Sequence, residues 1–362
     1  MKISFYNFGS IKSAELWIKP FTVIAGKNET GKSFVLRTLY GIFSSYHKSG
    51  DKGLVSGKFT VGGISARNLE QKLRWIFQQR QIGNLVNKLV EVKEKEEKKA
   101  TIEIVSERGR SLISMSASQK RKVDFSDEEI ILDLVIHHAN FIATPLVLDL
   151  EKGMSYYKTM FPNNYGIPDI YWDIIKDIKN VGIADTVELE EIYEKIKEII
   201  GGRFEYDPKE GFIFRKGKFK FNVNLVASGI KIFGLVQLLI ERNFLGKNTV
   251  FIIEEPEVHL HPSLRFKLID IFRLLSKNGV FVIFSTHSPE IIRYIEYLLR
   301  KGELSEENTE ILHLIKEPDG SIGKREPQLE TIEEILESLT EDYFYLVMKE
   351  KLEEGEKKNE NK

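Results

Sequence analysis

The sequence predicts an α/β protein with a mostly parallel central sheet, an antiparallel β lobe and a helical insertion. The first observation is three runs that are apolar almost throughout: FTVIA at 21–25, TVFII at 249–253 and VFVIFS at 280–285. Strands of this kind are buried on both faces, as in parallel sheets. The second observation is three helical patterns that alternate with these runs, at 32–44, 229–243 and 263–276. Alternation of buried strands with helices predicts a sheet covered on both faces.

Length and composition narrow the class of protein. The chain has 362 residues, 42% of them hydrophobic, so it is long enough for a large core and is not a disordered chain. It has no cysteine, which excludes disulfides, thiolate metal sites and cysteine nucleophiles. No apolar run approaches the roughly 18 residues of a membrane span, and the amino terminus lacks a signal-type apolar core. We therefore expect a cytoplasmic protein without a membrane partner.

The remaining elements follow in chain order. Alternation predicts amino-terminal strands at 2–8 and 14–19, helical spacing predicts a helix within 64–80, and 85–116 alternates like a small meander. Further elements are expected as follows: a helix at 187–200 ending at Gly201 and Gly202, a hairpin from 203, a strand ILHLIK at 311–316, a turn at Asp319-Gly320, and helices between 330 and 352.

We expect the chain to be divided into a core at 1–45 and 200–315, an inserted β and helical lobe at 46–199, a helical extension at 316–354 and a disordered tail at 355–362.

The segment between the strand at 21–25 and the following helix fits the phosphate-loop pattern G-x-x-x-x-G-K-[ST]. Its residues are Gly26, Lys27, Asn28, Glu29, Thr30, Gly31, Lys32 and Ser33. Backbone N–H groups from Asn28 to Ser33 can form an anion nest, Lys32 can reach the β and γ phosphates, and Ser33 can bind Mg²⁺. Gly31 allows the backbone to approach phosphate closely. The alternative is an ordinary strand, turn and helix.

A second motif, VFIIEEPEVHLHP at 250–262, indicates whether a nucleotide bound at the phosphate loop is hydrolysed. It places Glu254 and Glu255 at the carboxyl end of a buried strand, where open α/β sheets bind ligands. Glu254 is placed to hold hydrated Mg²⁺ and Glu255 to polarise an attacking water. One alternative is a loop with acidic capping residues. Another is a metal site at His259 and His261, although the HxH pair lacks evident partners.

Two weaker motifs accompany these. FSTHSP at 284–289 puts His287 just after another buried strand, where it can sense the γ phosphate or be a generic loop histidine. ASGIK at 227–231 puts Ser228 and Gly229 at a helix N-terminus, which is either an anion site or ordinary capping.

In this order the motifs resemble the ABC-type ATPase heads of the SMC, RecF and OLD-like group, with Asn7-Phe8 and Asn28 in characteristic places. The resemblance covers roughly 1–45 and 200–315. It identifies ASGIK with the signature motif, EEPEVHLHP with Walker B and the D-loop, and STHSP with the switch histidine. It implies ATP and Mg²⁺ as cofactors. It also implies a head-to-tail homodimer with ATP between each phosphate loop and the partner's signature motif.

Departures from that pattern restrict the function. Ile230 and Lys231 stand where transporters have glycine and glutamine, and Glu254 replaces the usual aspartate, which disfavours a transport ATPase. Candidates for the Q-loop glutamine are Gln119 and the glutamines within 78–81. The carboxyl terminus lacks the acidic pattern of a Toprim nuclease.

The sequence thus favours an ATP-hydrolysing dimeric switch in DNA repair, anti-phage defence or genome maintenance, with DNA and a separate effector protein as candidate partners. The alternatives are a regulatory module that binds ATP without turnover, a transport ATPase subunit and a small-molecule kinase. A turnover assay separates the first two.

The hairpin FIFRKGKFKFN at 212–222 is a candidate DNA contact. It alternates phenylalanines with a basic cluster: Phe212, Phe214, Phe219 and Phe221 with Arg215, Lys216, Lys218 and Lys220. The cations can meet phosphates. The alternative, which we favour, is that the rings pack into the β lobe and the charges face water.

Overall fold

The computed structural model describes residues 1–47, 63–89, 98–107, 109–117, 123–125, 129–131, 136–161, 165–324 and 332–341. Three predictions lie outside these residues: the Q-loop candidate Gln119, the helices beyond residue 341 and the tail at 355–362.

The described strands, in chain order, are β1 Lys2–Phe8, β2 Ile11–Trp17, β3 Phe21–Ala25, β4 Tyr46–His47, β5 Gly63–Ser65, β6 Lys99–Ser106, β7 Gly109–Ser116, β8 Val123–Phe125, β9 Glu129–Ile131, β10 His138–Ile142, β11 Arg203–Asp207, β12 Gly211–Lys216, β13 Phe219–Asn222, β14 Thr249–Ile253, β15 Phe281–Thr286, β16 Thr309–Ile315 and β17 Ser321–Lys324. The described α-helices are α1 Lys32–Ser44, α2 Ala66–Ile76, α3 Val147–Met160, α4 Asp169–Lys179, α5 Glu190–Ile200, α6 Ser228–Glu241, α7 Pro262–Lys277, α8 Pro289–Arg300 and α9 332–341. None of the helices in these ranges combines the length and the apolarity needed to cross a membrane.

Eleven of the described strands form one sheet, in the order β10-β14-β15-β3-β16-β17-β2-β1-β6-β7-β8. The strands from β10 to β16 are parallel. The strands from β2 to β8 are antiparallel. Strand β17 joins the two halves, because it is antiparallel to β16 and parallel to β2. The predicted α/β class, with a mostly parallel core and an antiparallel β lobe, is confirmed.

Helices cover both faces of the parallel half. Strand β3 is buried on both sides, with Val23 facing a core built from α5, α6, α7 and α8, and Ile24 facing a core built from α1 and α2. This two-sided burial explains why the strands of the parallel half read as nearly continuous apolar runs. It also brings the carboxyl ends of β10, β14, β15 and β3 together at one edge of the sheet.

Several element bounds agree with the sequence predictions. Strands β1 and β3 and helix α1 have the predicted ends, whereas β2 begins three residues before the predicted 14–19. Within the predicted meander at 85–116, the described residues form the antiparallel pair of β6 and β7, and β8 pairs with β7 beyond it; residues 90–97 lie outside the described ranges. A 3₁₀ turn at Ile82–Leu85 precedes this stretch. The hairpin predicted from 203 is a three-stranded sheet of β11, β12 and β13.

Strand β10 matters for the domain division. It lies within the predicted insertion at 46–199, yet it pairs in parallel with β14 at the edge of the core sheet. The division into a core at 1–45 and 200–315, the insertion and the extension at 316–354 stays a prediction. The sheet itself continues through both parts.

Candidate nucleotide site

The loop between β3 and α1 has a backbone that suits glycine. Gly31 precedes α1 with φ of 92°, and a Cβ there would lie 2.4 Å from the Ser10 hydroxyl oxygen. Any other residue would be strained at this φ and crowded against Ser10. The Thr30 hydroxyl donates to the Lys27 carbonyl at 2.9 Å, which closes the turn. The N–H groups at the start of α1 are therefore presented at the sheet edge.

Lys32 is held inside this loop. Its side chain is only 4% exposed, and its Nζ donates to the carbonyl oxygens of Gly26 and Lys27, both at 2.9 Å. The same Nζ lies 3.3 Å from Oε1 of Glu255. Burial lowers the pKa of Lys32, and the charge of Glu255 opposes that effect. The loop thus holds a buried ammonium group near the carboxyl end of β3.

Glu254 and Glu255 follow β14 directly, as predicted. The Glu254 backbone N–H donates to the Ile142 carbonyl at 2.9 Å, which extends the ladder with β10. The Glu255 N–H donates to the Ser285 hydroxyl of β15 at 3.2 Å, and Glu255 has φ of 39°. A positive φ in a residue other than glycine is costly and marks a constrained position. The turn after β14 is therefore fixed to both neighbouring strands.

His287, at the end of β15, completes a cluster of three residues. Its Nδ1 lies 3.3 Å from Oε1 of Glu255, the same oxygen that faces Lys32. The pairing lowers the pKa of Glu255 and raises the pKa of His287. An ionised Glu255 therefore stands between the Lys32 ammonium and the His287 ring, and it favours the protonated form of that ring.

Glu257 supports this cluster and was not singled out from the sequence. Its Oε1 accepts hydrogen bonds from the Thr286 hydroxyl at 2.6 Å and from the His287 backbone N–H at 3.1 Å. The side chain is buried, and burial raises its pKa. Glu257 therefore fixes the backbone that carries His287. The only sequence signal for it is its place in EEPE.

Arg37 is a second residue that sequence reasoning missed. Its Nε and Nη2 donate to the two carboxylate oxygens of Glu254 at 3.0 and 3.3 Å. Burial raises the pKa of Glu254, and the positive charge of Arg37 opposes that rise. Arg37 follows Ser33 by one helical turn, so both lie on the same side of α1. That spacing is the signal that could have identified Arg37.

Two adjoining cavities open at this edge. The smaller, of about 140 Å³, is lined by Ser33, Thr144, Glu254, Glu255 and His259 among others. The larger, of about 490 Å³, is lined by Asn28, Glu29, Gly31, Lys32, Arg37 and Phe77 among others. Ser33 borders both. The hydroxyl of Ser33 and the carboxylate of Glu254 are hard oxygen ligands, which suit Mg²⁺.

The ASGIK segment packs beside the segment that follows β14. Ser228 and Gly229 begin α6, and neither lines the two cavities. A Cβ on Gly229 would lie 2.8 Å from the His259 carbonyl oxygen, so α6 packs closely on the segment after β14. Lys231, nearly fully buried, donates to both carboxylate oxygens of Asp149 at 2.6 and 2.8 Å. This pair fixes α6 to α3.

The remaining candidates have structural contacts. His261 is the N-cap of α7 and accepts from the Ser263 N–H at 3.3 Å. Within the described ranges no three or more His, Asp or Glu side chains form a group suited to a metal ion, and the metal site at His259 and His261 stays an untested alternative. Gln78 and Gln79 bond to nearby backbone and to Asn84 and line neither cavity. The smaller cavity is lined by Thr144, which follows β10, and by neither of these glutamines.

The hairpin of β12 and β13 is divided. Phe212 and Phe214 are buried, whereas Phe219 is 70% exposed. Arg215 donates to Glu205, and Lys220 pairs with Glu210. Two of the four predicted phosphate contacts are therefore already neutralised by acids of the same sheet.

The comparisons with known proteins agree with this fold. Residues 21–293 match the family described as "AAA domain, putative AbiEii toxin, Type IV TA system". No curated protein matches the chain. Among solved structures, the chain is similar to an Smc head bound to the C-terminal winged-helix domain of ScpA, with 13% identity, a TM-score of 0.50, and coverage of 92% of this chain and 98% of that chain.

Two further Smc heads are similar at lower scores. One, with an extended coiled coil and bound to the C-terminal domain of ScpA from Pyrococcus furiosus, has 13% identity, a TM-score of 0.49 and coverage of 93% and 98%. The other, from Thermotoga maritima, has 10% identity, a TM-score of 0.45 and coverage of 90% and 98%. The matched family model covers most of the chain, so the chain belongs to that AAA domain family, and its fold is similar to that of an Smc head.

Proposed function

We propose that the protein binds ATP with Mg²⁺ and hydrolyses it as a homodimeric switch. The observation that carries this proposal is the position of Glu255 Oε1, 3.3 Å from both Lys32 Nζ and His287 Nδ1. These residues come from the ends of three neighbouring strands. A phosphate-binding cation, a general base and a γ-phosphate sensor are the groups that hydrolysis of a phosphoanhydride requires.

In the proposed reaction a water oxygen attacks the γ phosphorus, and the bond from that phosphorus to the β–γ bridging oxygen breaks. Glu255 accepts the proton of the water, and its lowered pKa keeps it ionised for this role at neutral pH. Lys32 exchanges its carbonyl partners for phosphate oxygens and stabilises the charge. Ser33 and Glu254 would hold Mg²⁺, which would supply charge neutralisation to the phosphates. The products are ADP and phosphate.

The place of Ser228 and Gly229 supports a dimer. They lie outside the two cavities of their own chain, and their helix N-terminus can offer N–H groups to an anion. In a head-to-tail homodimer the partner's Ser228 and Gly229 would complete each ATP site. The protein is then a cytoplasmic switch in DNA repair, anti-phage defence or genome maintenance, acting on DNA and on a separate effector. The similarity to an Smc head that is bound to a domain of ScpA supports an effector partner.

The decisive experiment uses Glu255→Gln. This variant should bind ATP normally but hydrolyse it roughly 10² to 10⁴ times more slowly, because it lacks the general base. It should therefore accumulate as an ATP-bound dimer, which light scattering would detect as a doubled mass. Wild-type turnover in this variant, or a monomer in excess ATP, would contradict the proposal.

A mixing experiment tests whether the site is shared. Ser228→Arg should bind ATP at its own phosphate loop but not hydrolyse it, and Lys32→Ala should not bind ATP. A heterodimer of the two contains one intact composite site. Recovered turnover supports the shared site, and proven heterodimers without turnover place the whole site within one chain.

One observation favours a second candidate, a regulator that binds ATP with negligible turnover. Arg37 engages both oxygens of Glu254, so Mg²⁺ must compete with an arginine for its carboxylate ligand. Replacement of Arg37 by glutamine separates the candidates. A large rise in turnover at limiting Mg²⁺ would identify Arg37 as an inhibitory contact and the wild type as a slow regulator.

A further inference from the structure

We propose that the outer face of α2 carries a binding site for single-stranded nucleic acid. The site is a platform of two stacked rings, Trp75 and Tyr165, surrounded by Arg67, Arg74, Arg80 and Lys158. We call it the Trp75 platform. The inference deepens the proposed function, on which it rests for the choice of nucleic acid as partner, and it moves the contact away from the β12–β13 hairpin.

The two rings of the platform stack on each other, and each has a cation over it. Trp75 stacks on Tyr165 with ring centroids 4.6 Å apart and an interplanar angle of 21°. The Lys158 ammonium lies 5.0 Å from the centroid of Trp75, and the Arg80 guanidinium lies 5.9 Å from that of Tyr165. Half-buried aromatic faces beside cations are what proteins use to stack unpaired bases and hold the adjoining phosphates.

A polar contact holds the platform in shape. The Gln78 side-chain amide donates to the carbonyls of Trp75 at 2.7 Å and Ile167 at 3.3 Å, and its oxygen accepts from the Gly166 N–H. It thereby joins the end of α2 to the segment that carries Tyr165. A pre-ordered platform loses little conformational freedom when a ligand binds.

The platform borders a cavity of about 380 Å³, lined by Arg67, Glu70, Gln71, Arg74, Trp75 and Tyr165. Arg74 donates one N–H to the Tyr165 hydroxyl at 3.0 Å, while its buried Nε has no hydrogen-bond partner among the described residues. A buried donor without a partner is costly and is expected to acquire an acceptor. A phosphate oxygen at this cavity is such an acceptor.

Unpaired cations lie beside stacked rings at the platform but not on the hairpin. On the hairpin, Arg215 and Lys220 are paired with Glu205 and Glu210, and no salt bridge among the described residues involves Lys216 or Lys218, but the rings of Phe219 and Phe221 are tilted by 39° with centroids 6.4 Å apart. At the platform, Lys158 pairs with Asp169 at 3.6 Å, and no salt bridge among the described residues involves Arg67, Arg74 or Arg80. Unpaired cations can release counterions when they meet phosphates, which is the main source of affinity for nucleic acid. An unpaired base is needed to stack on the rings, which selects a single strand over a duplex.

The test measures fluorescence anisotropy of a labelled oligothymidylate of about 20 nucleotides, titrated with the full chain across a salt series. The double variant Arg67→Glu with Arg80→Glu should weaken binding at least about tenfold and lower the slope of log affinity against log salt by about 1.4, since two contacts are lost. Trp75→Leu should weaken binding about 5- to 150-fold with the slope unchanged. Lys216→Glu with Lys218→Glu, on the hairpin, is the matched control and should change little.

Arg67 and Arg80 are exposed, so their variants are expected to fold, and ATP binding serves as the check. Lys32→Ala separates this inference from the proposed function, because it should lose ATP binding and keep oligothymidylate binding. The inference is overturned if the wild type fails to bind the oligothymidylate at low salt, if the double variant keeps its affinity and slope, or if the hairpin variant loses as much.

Discussion

Ion pairs at the carboxyl edge of the parallel strands and ion pairs in the β11–β13 sheet differ in burial and in the sequence separation of their partners. At the edge, Arg37 pairs with Glu254, 217 positions away, and both are mostly buried. In the small sheet, Arg215 and Glu205 are ten positions apart and more exposed. Buried pairs carry a desolvation cost that surface pairs avoid, so they are weak contributors to stability. We therefore infer that the charged side chains at the edge serve ligand binding, whereas those of the small sheet serve solubility.

Removal of the buried cation of the loop should have the largest effect. Lys32→Ala deletes the ammonium that is expected to meet the β and γ phosphates, so ATP affinity should fall at least about 100-fold, measured by calorimetry. Lys218→Ala, on the exposed hairpin, is the matched control and should bind ATP as the wild type does. Equal ATP affinities of the two variants would show that the lysine of the loop after β3 contributes no more to ATP binding than a lysine of the hairpin.

The buried Lys231–Asp149 pair should come next. Lys231→Ala leaves Asp149 without its cation and should lower the free energy of unfolding by about 2 to 3 kcal/mol, below the range for fully buried pairs because Asp149 is partly exposed. Denaturant titration measures the loss. The double variant Lys231→Met with Asp149→Leu should recover most of it, and a double variant as unstable as the single one would show that packing dominates.

The pairing of His287 with Glu255 should give a smaller, pH-dependent effect. Because the pKa of His287 is raised, its contribution to the free energy of unfolding is complete below the unfolded pKa of about 6.5 and is lost as pH rises through the folded pKa. Because the pKa of Glu255 is lowered, its contribution to the free energy of unfolding is lost as pH falls through a folded pKa below 4.5.

NMR titration of the His287 ring measures this effect directly. Glu255→Gln should return the midpoint towards 6.5, and Glu205→Gln, in the small sheet, should leave it unchanged. An unaltered midpoint in Glu255→Gln would mean that the two side chains do not interact in solution. Since both are about one third exposed, the pair contributes no more than about 1 kcal/mol.

The exposed pair of the small sheet should give the smallest effect. Lys220→Ala removes the partner of Glu210 and should change the free energy of unfolding by no more than about 0.5 kcal/mol, because water solvates both groups. Thermal and denaturant unfolding both measure it. A loss as large as that of Lys231→Ala would contradict the division into buried and exposed charge pairs.

The sequence predicted what local patterns encode. The apolar runs of β3, β14 and β15 and the loop GKNETGKS place Lys32, Glu254, Glu255 and His287 at strand ends, and the structure brings Lys32, Glu255 and His287 into one cluster. Strand β10 was not predicted, because HANFI is short and polar at its start. Arg37 was missed because its partner lies far along the chain and only the folded sheet makes them neighbours.

The pairing of β17 with β2 has a mechanical consequence. It joins the two halves through two described residue pairs, and the register shifts between Ser321 and Ile322. A strand bends and twists more strongly where its register shifts in this way. The parallel half, which carries the loop after β3, and the antiparallel half, which ends at β8, can therefore twist against each other at this join.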